Sequence, residues 1–120
     1  MVTAAEVVER RRRARARLVA TAREFAGQLD AALSIRAVVI FGSVARGDFN
    51  DTSDIDVLVV AEQLPARATD RLAALGAYPS IVEPVVWTPH EWAARRHRGD
   101  PIVAEALDAG IWLAGDPSHI

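Results

Sequence analysis

Apolar and polar positions follow two different periods along the chain. In residues 3–33, a stretch rich in alanine, arginine and glutamate, apolar side chains recur every three or four positions, which predicts one amphipathic helix or two. Further along, runs rich in β-branched and aromatic residues predict buried strands. These runs lie at residues 36–42, 55–61, 81–87 and 111–114. Helices are therefore expected to alternate with strands.

Local signals mark the ends of several elements. Thr-Pro-His-Glu at residues 88–91 places threonine at an N-cap, proline at the first helical position and glutamate at the third, which is a capping box. Asp-Pro at residues 100–101 begins a further helix in the same way, and Gly110 is suited to end it. Pro84 cannot donate a backbone hydrogen bond, which predicts an edge strand or a bulge at its position.

We expect an α/β (α+β) fold: a small mixed β-sheet of three to four strands packed by helices, with a long N-terminal helix. One domain is expected over residues 1–120, made of a helical segment at 1–34 and a core at 35–120. Only eleven residues separate Gly42 from Asp54, which is too few for an ordinary crossover helix with its two loops. We expect this short segment to carry the function.

Composition excludes several classes of protein. Hydrophobic residues make up 51% of the chain and charged residues 25%, which is typical of a folded soluble domain. No apolar run exceeds five residues and no signal peptide is recognisable, so we expect a cytoplasmic protein that does not contact a membrane. Because cysteine is absent, disulfides and thiolate metal sites are excluded, and any metal must be held by oxygen or imidazole.

Charge is unevenly distributed. The net charge is −2 and all 14 basic residues are arginine. Residues 1–36 contain eight arginines and four acids, whereas residues 37–120 contain six arginines and twelve acids. We interpret the arginine run at residues 10–17 as a solvated helix face, with a surface for an acidic partner or RNA as the alternative. The overall negative charge does not favour RNA binding.

The segment after the first strand contains two features, one suited to binding a phosphate and one suited to binding a metal ion. Gly42 and Ser43 end a strand and begin a helical turn, where backbone N–H groups and a hydroxyl suit a phosphate and glycine permits its close approach. Asp54 and Asp56 lie two apart at the start of the next strand, so both carboxylates are expected on one face. A divalent cation would neutralise their repulsion, and oxygen ligands favour Mg²⁺ or Mn²⁺.

A third carboxylate is available on the third strand. Glu83 shares one side of that strand with Val85 and Trp87, so three acids could converge. An isolated pair of aspartates two residues apart is also compatible with a solvated turn, and Glu83 with an ordinary acid on an edge strand. The Gly42-Ser43 pair upstream favours the metal interpretation for the aspartates.

These residues resemble a known family. Gly-Ser-Val-Ala-Arg-Gly at residues 42–47 and Ser-Asp-Ile-Asp at residues 53–56 are similar to the signature of the minimal nucleotidyltransferases, in the DNA polymerase beta superfamily. The resemblance covers residues 35–88 and implies a polymerase-beta-like fold, with residues 35–120 as its catalytic core. Glu83 departs from the pattern, because the family's third acid is usually aspartate.

The resemblance also implies a reaction and a set of roles. A nucleoside monophosphate would pass from a triphosphate, with ATP expected, to a hydroxyl, releasing pyrophosphate. Two Mg²⁺ ions would be bound by Asp54 and Asp56, with Glu83 as third ligand or base. The nucleotide-binding residues would be Gly42 and Ser43 at the phosphates, Arg46 at the leaving pyrophosphate, and Ser53.

Proteins of this size resemble the antitoxin half of paired toxin–antitoxin modules. The expected partner is then a small helical ribonuclease of the HEPN type, which the chain would modify on a hydroxyl, expected to be a tyrosine, within a joint oligomer. Two alternatives remain open. The chain could be a non-catalytic binding module that neutralises a toxin by covering it, or a transferase acting on a small molecule or RNA.

Overall fold

The structure is a computed structural model that describes residues 1–120. Its five helices are α1 (Ala4–Gln28), α2 (Gly42–Arg46), α3 (Ala68–Ala74), α4 (Pro89–His97) and α5 (Pro101–Ala109). Its four strands are β1 (Ile35–Phe41), β2 (Ile55–Ala61), β3 (Val82–Trp87) and β4 (Ile111–Ala114). Short 3-10 turns lie at Ala31–Leu33 and Pro117–His119. The predicted mixture of strands and helices is confirmed.

The four strands form one mixed sheet in the order β3-β2-β1-β4. β1 is antiparallel to both β2 and β4, whereas β2 and β3 are parallel. The antiparallel pairing explains why so few residues suffice between β1 and β2, since only parallel neighbours need a crossover. α3 supplies that crossover between β2 and β3. β3 lies at the edge of the sheet, as Pro84 predicts.

Alternating side chains divide the core into two layers. One face of the sheet packs against α1 around Phe25, and includes Ile55 and Val57 of β2. The opposite face packs against α4 and α5 around Trp92, and includes Leu58 of β2. Because side chains alternate along a strand, Asp56 belongs to the same face as Leu58. The candidate site is therefore on the α4 and α5 side, at one end of the sheet.

The N-terminal helix is a single element that ends earlier than its sequence pattern predicts. α1 stops at Gln28, and Leu29 is already extended. The Asp30 carboxylate accepts a hydrogen bond from the backbone N–H of Ala32 and caps the separate 3-10 turn that follows. Residues 1–8 are all exposed, so the first turn of the helix projects from the core. None of the helices combines the length and the hydrophobicity that crossing a bilayer requires.

The free edge of β3 is covered by side chains. Arg71 on α3 donates from Nη1 to the backbone oxygen of Val86 and to Oε1 of Glu91. Glu91 also accepts from the backbone N–H of Thr88, in the predicted capping box at the start of α4. Only 12% of the Arg71 side chain is exposed, so its charge needs this carboxylate. Together with Pro84, Arg71 blocks pairing of another strand at this edge.

Glu91→Gln is expected to lower the free energy of unfolding at pH 7 by about 1 kcal/mol. Burial raises the pKa of the Glu91 carboxyl, but hydrogen bonds from Thr88 and Arg71 outweigh it and the net pKa is lowered. A lowered pKa contributes stability above the unfolded-state value, and this contribution is lost as pH falls through the folded-state value. Urea denaturation should therefore show a smaller difference at pH 3. Glu24→Gln, on the exposed surface of α1, is the control. An equal loss at both pH values would contradict the ion pair.

Candidate active site

Gly42 lies directly against Asp56. It follows β1, begins α2 and has φ +74, in the left-handed region that favours glycine. A Cβ built at Gly42 would overlap Oδ2 of Asp56. The antiparallel register produces this approach, because Phe41 and Asp56 are direct partners across β1 and β2. The two halves of the sequence motif are therefore in contact, and only glycine fits between them.

The parallel register brings a second carboxylate next to Asp56. Glu83 of β3 is the direct partner of Asp56 of β2. Val85 and Trp87, which alternate with Glu83, pack in the layer formed with α4 and α5. Asp54 is exposed and lies just before β2, separated from Asp56 by the fully buried Ile55. The structure thus places Asp54, Asp56 and Glu83 in one region.

The electrostatic environment of Asp56 opposes its ionised form. Burial raises the pKa of the Asp56 carboxyl first, and repulsion from Glu83, Glu105 and Asp54 raises it further. The positive charge of Arg46 lowers the pKa and offsets only part of this effect. The region therefore carries excess negative charge.

The donor set fits a hard divalent cation. Carboxylate oxygens are the ligands that Mg²⁺ prefers, and the repulsion around Asp56 is the kind that a bound cation relieves. In the structure, however, no three Asp, Glu or His side chains are gathered closely enough to form a ready-made metal cage. Metal binding by Asp54, Asp56 and Glu83 remains a prediction, in which the side chains turn toward the cation as it binds.

Arg46 already has two carboxylate partners. Its Nε donates to Asp48 at 3.2 Å and its Nη1 donates to Oε1 of Glu105 on α5. Close to half of the Arg46 side chain is exposed. Glu105 is a site residue that the sequence analysis missed, because it lies 59 positions from Arg46 and belongs to no motif. The helical pattern predicts α5 but not which of its polar residues faces the aspartates.

The two serines of the motif have different surroundings. The Ser53 hydroxyl accepts from the backbone N–H of Asn50 at 2.9 Å and donates to its side chain at 3.3 Å. Ser53 therefore closes the turn that leads into Asp54. The backbone oxygen of Ser43 accepts from the N–H of Gly47 at 2.8 Å, which closes α2. Nucleotide binding by either serine remains a prediction.

The sequence profile of the family described as "Nucleotidyltransferase domain" matches residues 20–108. The chain belongs to this family. The match extends from the second half of α1 to the end of α5, so the nucleotidyltransferase domain includes both layers of the core as well as the motif.

Relatives and a solved structure agree with this assignment. Three proteins of Methanocaldococcus jannaschii named "Putative protein adenylyltransferase" are similar to the chain. The first is 29% identical over 56 residues, which is 42% of this chain and 57% of the relative. The second is 49% identical over 35 residues, 29% of this chain and 24% of the relative. The matches thus cover little more than half of the first relative's length and about a quarter of the second's.

The fold is shared with a solved structure. A crystal structure of a "putative nucleotidyltransferase" from Sulfolobus solfataricus superimposes with a TM-score of 0.66 at 22% sequence identity. The superposition covers 92% of this chain and 91% of the other. The expected nucleotidyltransferase fold with a long N-terminal helix is therefore confirmed.

The arginine run of the nucleotidyltransferase domain is only partly a solvated face. Arg10, Arg12 and Arg13 are exposed, as predicted. Arg11 is exposed as well, but its guanidinium donates to backbone oxygens of the segment after Gly42. The prediction is wrong for Arg15, which is half-buried and donates to backbone oxygens of the same segment. A sequence pattern cannot separate these two arginines from their neighbours, because their acceptors lie about 30 positions or more away.

Proposed function

We propose that this nucleotidyltransferase domain transfers AMP from ATP to a hydroxyl group of another protein and releases pyrophosphate. The observation that supports the proposal most directly is the contact between the Gly42 backbone and Asp56, with Glu83 paired beside Asp56. The family assignment and the printed name of the relatives agree with this reaction. A donor such as ATP implies a cytoplasmic location.

We assign the following roles on this basis. Asp54 and Asp56 hold two Mg²⁺ ions, with Glu83 as the third carboxylate. When bound, the ions would neutralise phosphate charge and make the attacking hydroxyl more acidic. Gly42 lets the triphosphate approach the backbone, and Ser43 donates its hydroxyl to a phosphate oxygen. Ser53 orders the turn before Asp54, and through that turn it contributes to the nucleotide site.

Arg46 is proposed to stabilise the leaving pyrophosphate. Its ion pairs with Asp48 and Glu105 are about as exposed as Arg46 itself, so exchanging one carboxylate for a phosphate costs little free energy. The two partners meanwhile hold the guanidinium beside the aspartates. This placement shortens the movement that Arg46 must make when the nucleotide arrives.

The acceptor hydroxyl is proposed to come from a partner protein. None of the surface cavities of the domain is lined by Asp54, Asp56 or Glu83, so these carboxylates do not border a pocket that could enclose a small acceptor. A site without such a pocket suits a side chain presented by another protein, such as a tyrosine. We propose a helical HEPN-type toxin as this partner, with the domain as its antitoxin.

Calorimetry tests whether the domain binds a nucleotide, which requires no partner protein. ATP and GTP are titrated into the protein with and without Mg²⁺. We expect Mg²⁺-dependent binding of ATP, followed by transfer of label from α-³²P-ATP to a HEPN-type protein when one is added. Absence of nucleotide binding with Mg²⁺ would overturn the enzymatic proposal.

A non-catalytic binding module is the second candidate. The observation that favours it is the projecting start of α1, where Val7 and Val8 are about half exposed and suited to contact another protein. The variant Asp54→Ala with Asp56→Ala separates the two candidates. Loss of protection against the toxin supports the enzyme, whereas full protection by this variant supports the binding module.

A further inference from the structure

The end of α2 is held by an arginine from another helix. Arg15 of α1 is half-buried, its Nε donates to the backbone oxygen of Val44 at 2.9 Å, and its Nη2 donates to that of Ala45. The last carbonyl groups of a helix lack amide partners within the helix. In a helix of only five residues these groups are most of the backbone, so the guanidinium replaces bonds that the helix cannot make.

A second arginine holds the chain beyond α2. Arg11, one turn before Arg15 on the same face of α1, donates from Nη2 to the backbone oxygens of Gly47 and Phe49, both at 2.9 Å. Its guanidinium also lies 4.6 Å from the centre of the Phe49 ring, which is buried. The two arginines together bind four carbonyl groups of residues 44–49.

The segment held in this way contains Arg46 and directly follows Gly42 and Ser43, the other phosphate-binding residues of the proposed site. Arg46 lies between the bound carbonyl groups and directs its side chain to Glu105 on α5. Gly42, at the other end of α2, abuts Asp56. One side of the segment is thus fixed to α1, while the Arg46 side chain extends toward Glu105 and acts on the Asp56 carboxylate.

Neighbouring arginines on α1 make no such contacts. Arg12 and Arg13 are more than 70% exposed and contact only Glu9 of the same helix. Exposed pairs of this kind contribute little to stability. The contrast within a few residues shows that the hydrogen bonds of Arg11 and Arg15 depend on their place on the helix and not on the arginine-rich composition.

We propose that Arg11 and Arg15 are positioning residues for nucleotide binding: they fix the backbone of residues 44–49 so that Arg46 and Ser43 meet the phosphates of a bound nucleoside triphosphate. The proposal rests on the proposed nucleotidyltransferase function. Two members of the arginine run thus have a role inside the domain, which is separate from any role of the other arginines. Neither arginine touches the nucleotide.

The test compares two double variants that remove the same charge from the same helix. Arg11→Gln with Arg15→Gln removes the four hydrogen bonds. Arg12→Gln with Arg23→Gln, both at exposed positions, is the matched control. We expect the first variant to bind Mg²⁺-ATP at least roughly tenfold more weakly than wild type, since small misplacements of binding groups cost this much or more, and the control to bind as wild type does.

Hydrogen exchange distinguishes local loosening of residues 42–49 from a general loss of stability. Under conditions where both variants show the circular dichroism of the folded wild type, amides of residues 42–49 should exchange faster in the first variant, while those of β2 stay protected. Arg15→Lys keeps the charge and can donate to one carbonyl group. It should therefore bind Mg²⁺-ATP more tightly than Arg15→Gln does. If the double variant does not fold, Arg11→Gln alone is compared with Arg12→Gln.

The outcomes separate this inference from the proposed function. If wild type binds Mg²⁺-ATP and the Arg11 and Arg15 variant binds equally well, the positioning role is overturned and the enzyme proposal stands. If wild type itself does not bind, both are overturned. If affinity falls while exchange of residues 42–49 is unchanged, the arginines act on the nucleotide in another way and the positioning role is again overturned.

Discussion

Asp56→Asn should abolish nucleotidyl transfer and at the same time make the folded protein more stable at pH 7. We expect transfer to fall by at least roughly 10²–10³-fold, the cost of removing one group that stabilises charge in a transition state, and Mg²⁺-dependent binding of ATP to be weakened as well. Asparagine has the shape of aspartate, so the contact with Gly42 persists. What is lost is the negative charge that the proposed cation requires.

The gain in stability follows from the pKa of Asp56. Burial raises the pKa of the carboxyl, and repulsion from Glu83, Glu105 and Asp54 raises it further. A carboxyl whose pKa is higher in the folded state than in the unfolded state favours folding below its unfolded-state pKa of about 3.9, and this contribution is lost as pH rises through the folded-state value. At pH 7 the ionised group therefore destabilises the fold, and the neutral amide relieves that cost.

Thermal denaturation with and without Mg²⁺ checks this prediction. Without Mg²⁺ the Asp56→Asn variant should melt a few degrees above wild type at pH 7, and the two should converge near pH 3. Addition of Mg²⁺ and ATP should raise the melting temperature of wild type only. Asp108→Asn, at an exposed position of α5, is the control and should behave as wild type. Transfer at the wild-type rate by Asp56→Asn would refute the metal assignment.

Local sequence signals predict the part of the site that lies at strand ends. β-branched runs locate β1 and β2, and a period of two along β2 places Asp56 opposite to Ile55 and Val57. The position of Glu83 follows once β2 and β3 are parallel neighbours. These inferences succeed because a strand determines the direction of its own side chains.

The rest of the site depends on contacts that no local pattern encodes. Glu105 reaches Arg46 across 59 positions, and Arg15 reaches Val44 across 29. The arginines that hold residues 44–49 lie on the same helix, α1, as arginines that make no such contacts. The two groups differ only in which part of the fold lies opposite them. Tertiary packing therefore decides which members of a charged run are structural.

The motif glycine is the second position where a large effect is expected. Gly42→Ala should lower the free energy of unfolding by about 1–2 kcal/mol through its left-handed backbone alone. The new methyl group would in addition overlap the Asp56 carboxylate and push it away from its place beside Glu83. We therefore expect loss of Mg²⁺-dependent nucleotide binding together with a larger loss of stability than the backbone explains.

Gly76→Ala separates the two causes. Gly76 has φ +77, close to the φ of +74 at Gly42, but a Cβ at Gly76 would meet no atom within 4 Å. Urea denaturation should show the backbone cost in both variants and an additional cost in Gly42→Ala only. Calorimetry should show unchanged binding of Mg²⁺-ATP in Gly76→Ala. Equal binding by the two alanine variants would contradict the close approach of Gly42 to Asp56.

A double-mutant cycle assigns the additional cost to one contact. Asp56→Gly removes the carboxylate that the methyl group of Gly42→Ala would meet. In that background the stability cost of Gly42→Ala should fall to that of Gly76→Ala, because only the backbone contribution remains. A cost that stays as large as in wild type would mean that the methyl group collides elsewhere. Agreement would show that the cost beyond that of the left-handed backbone comes from a single carboxylate on the neighbouring strand.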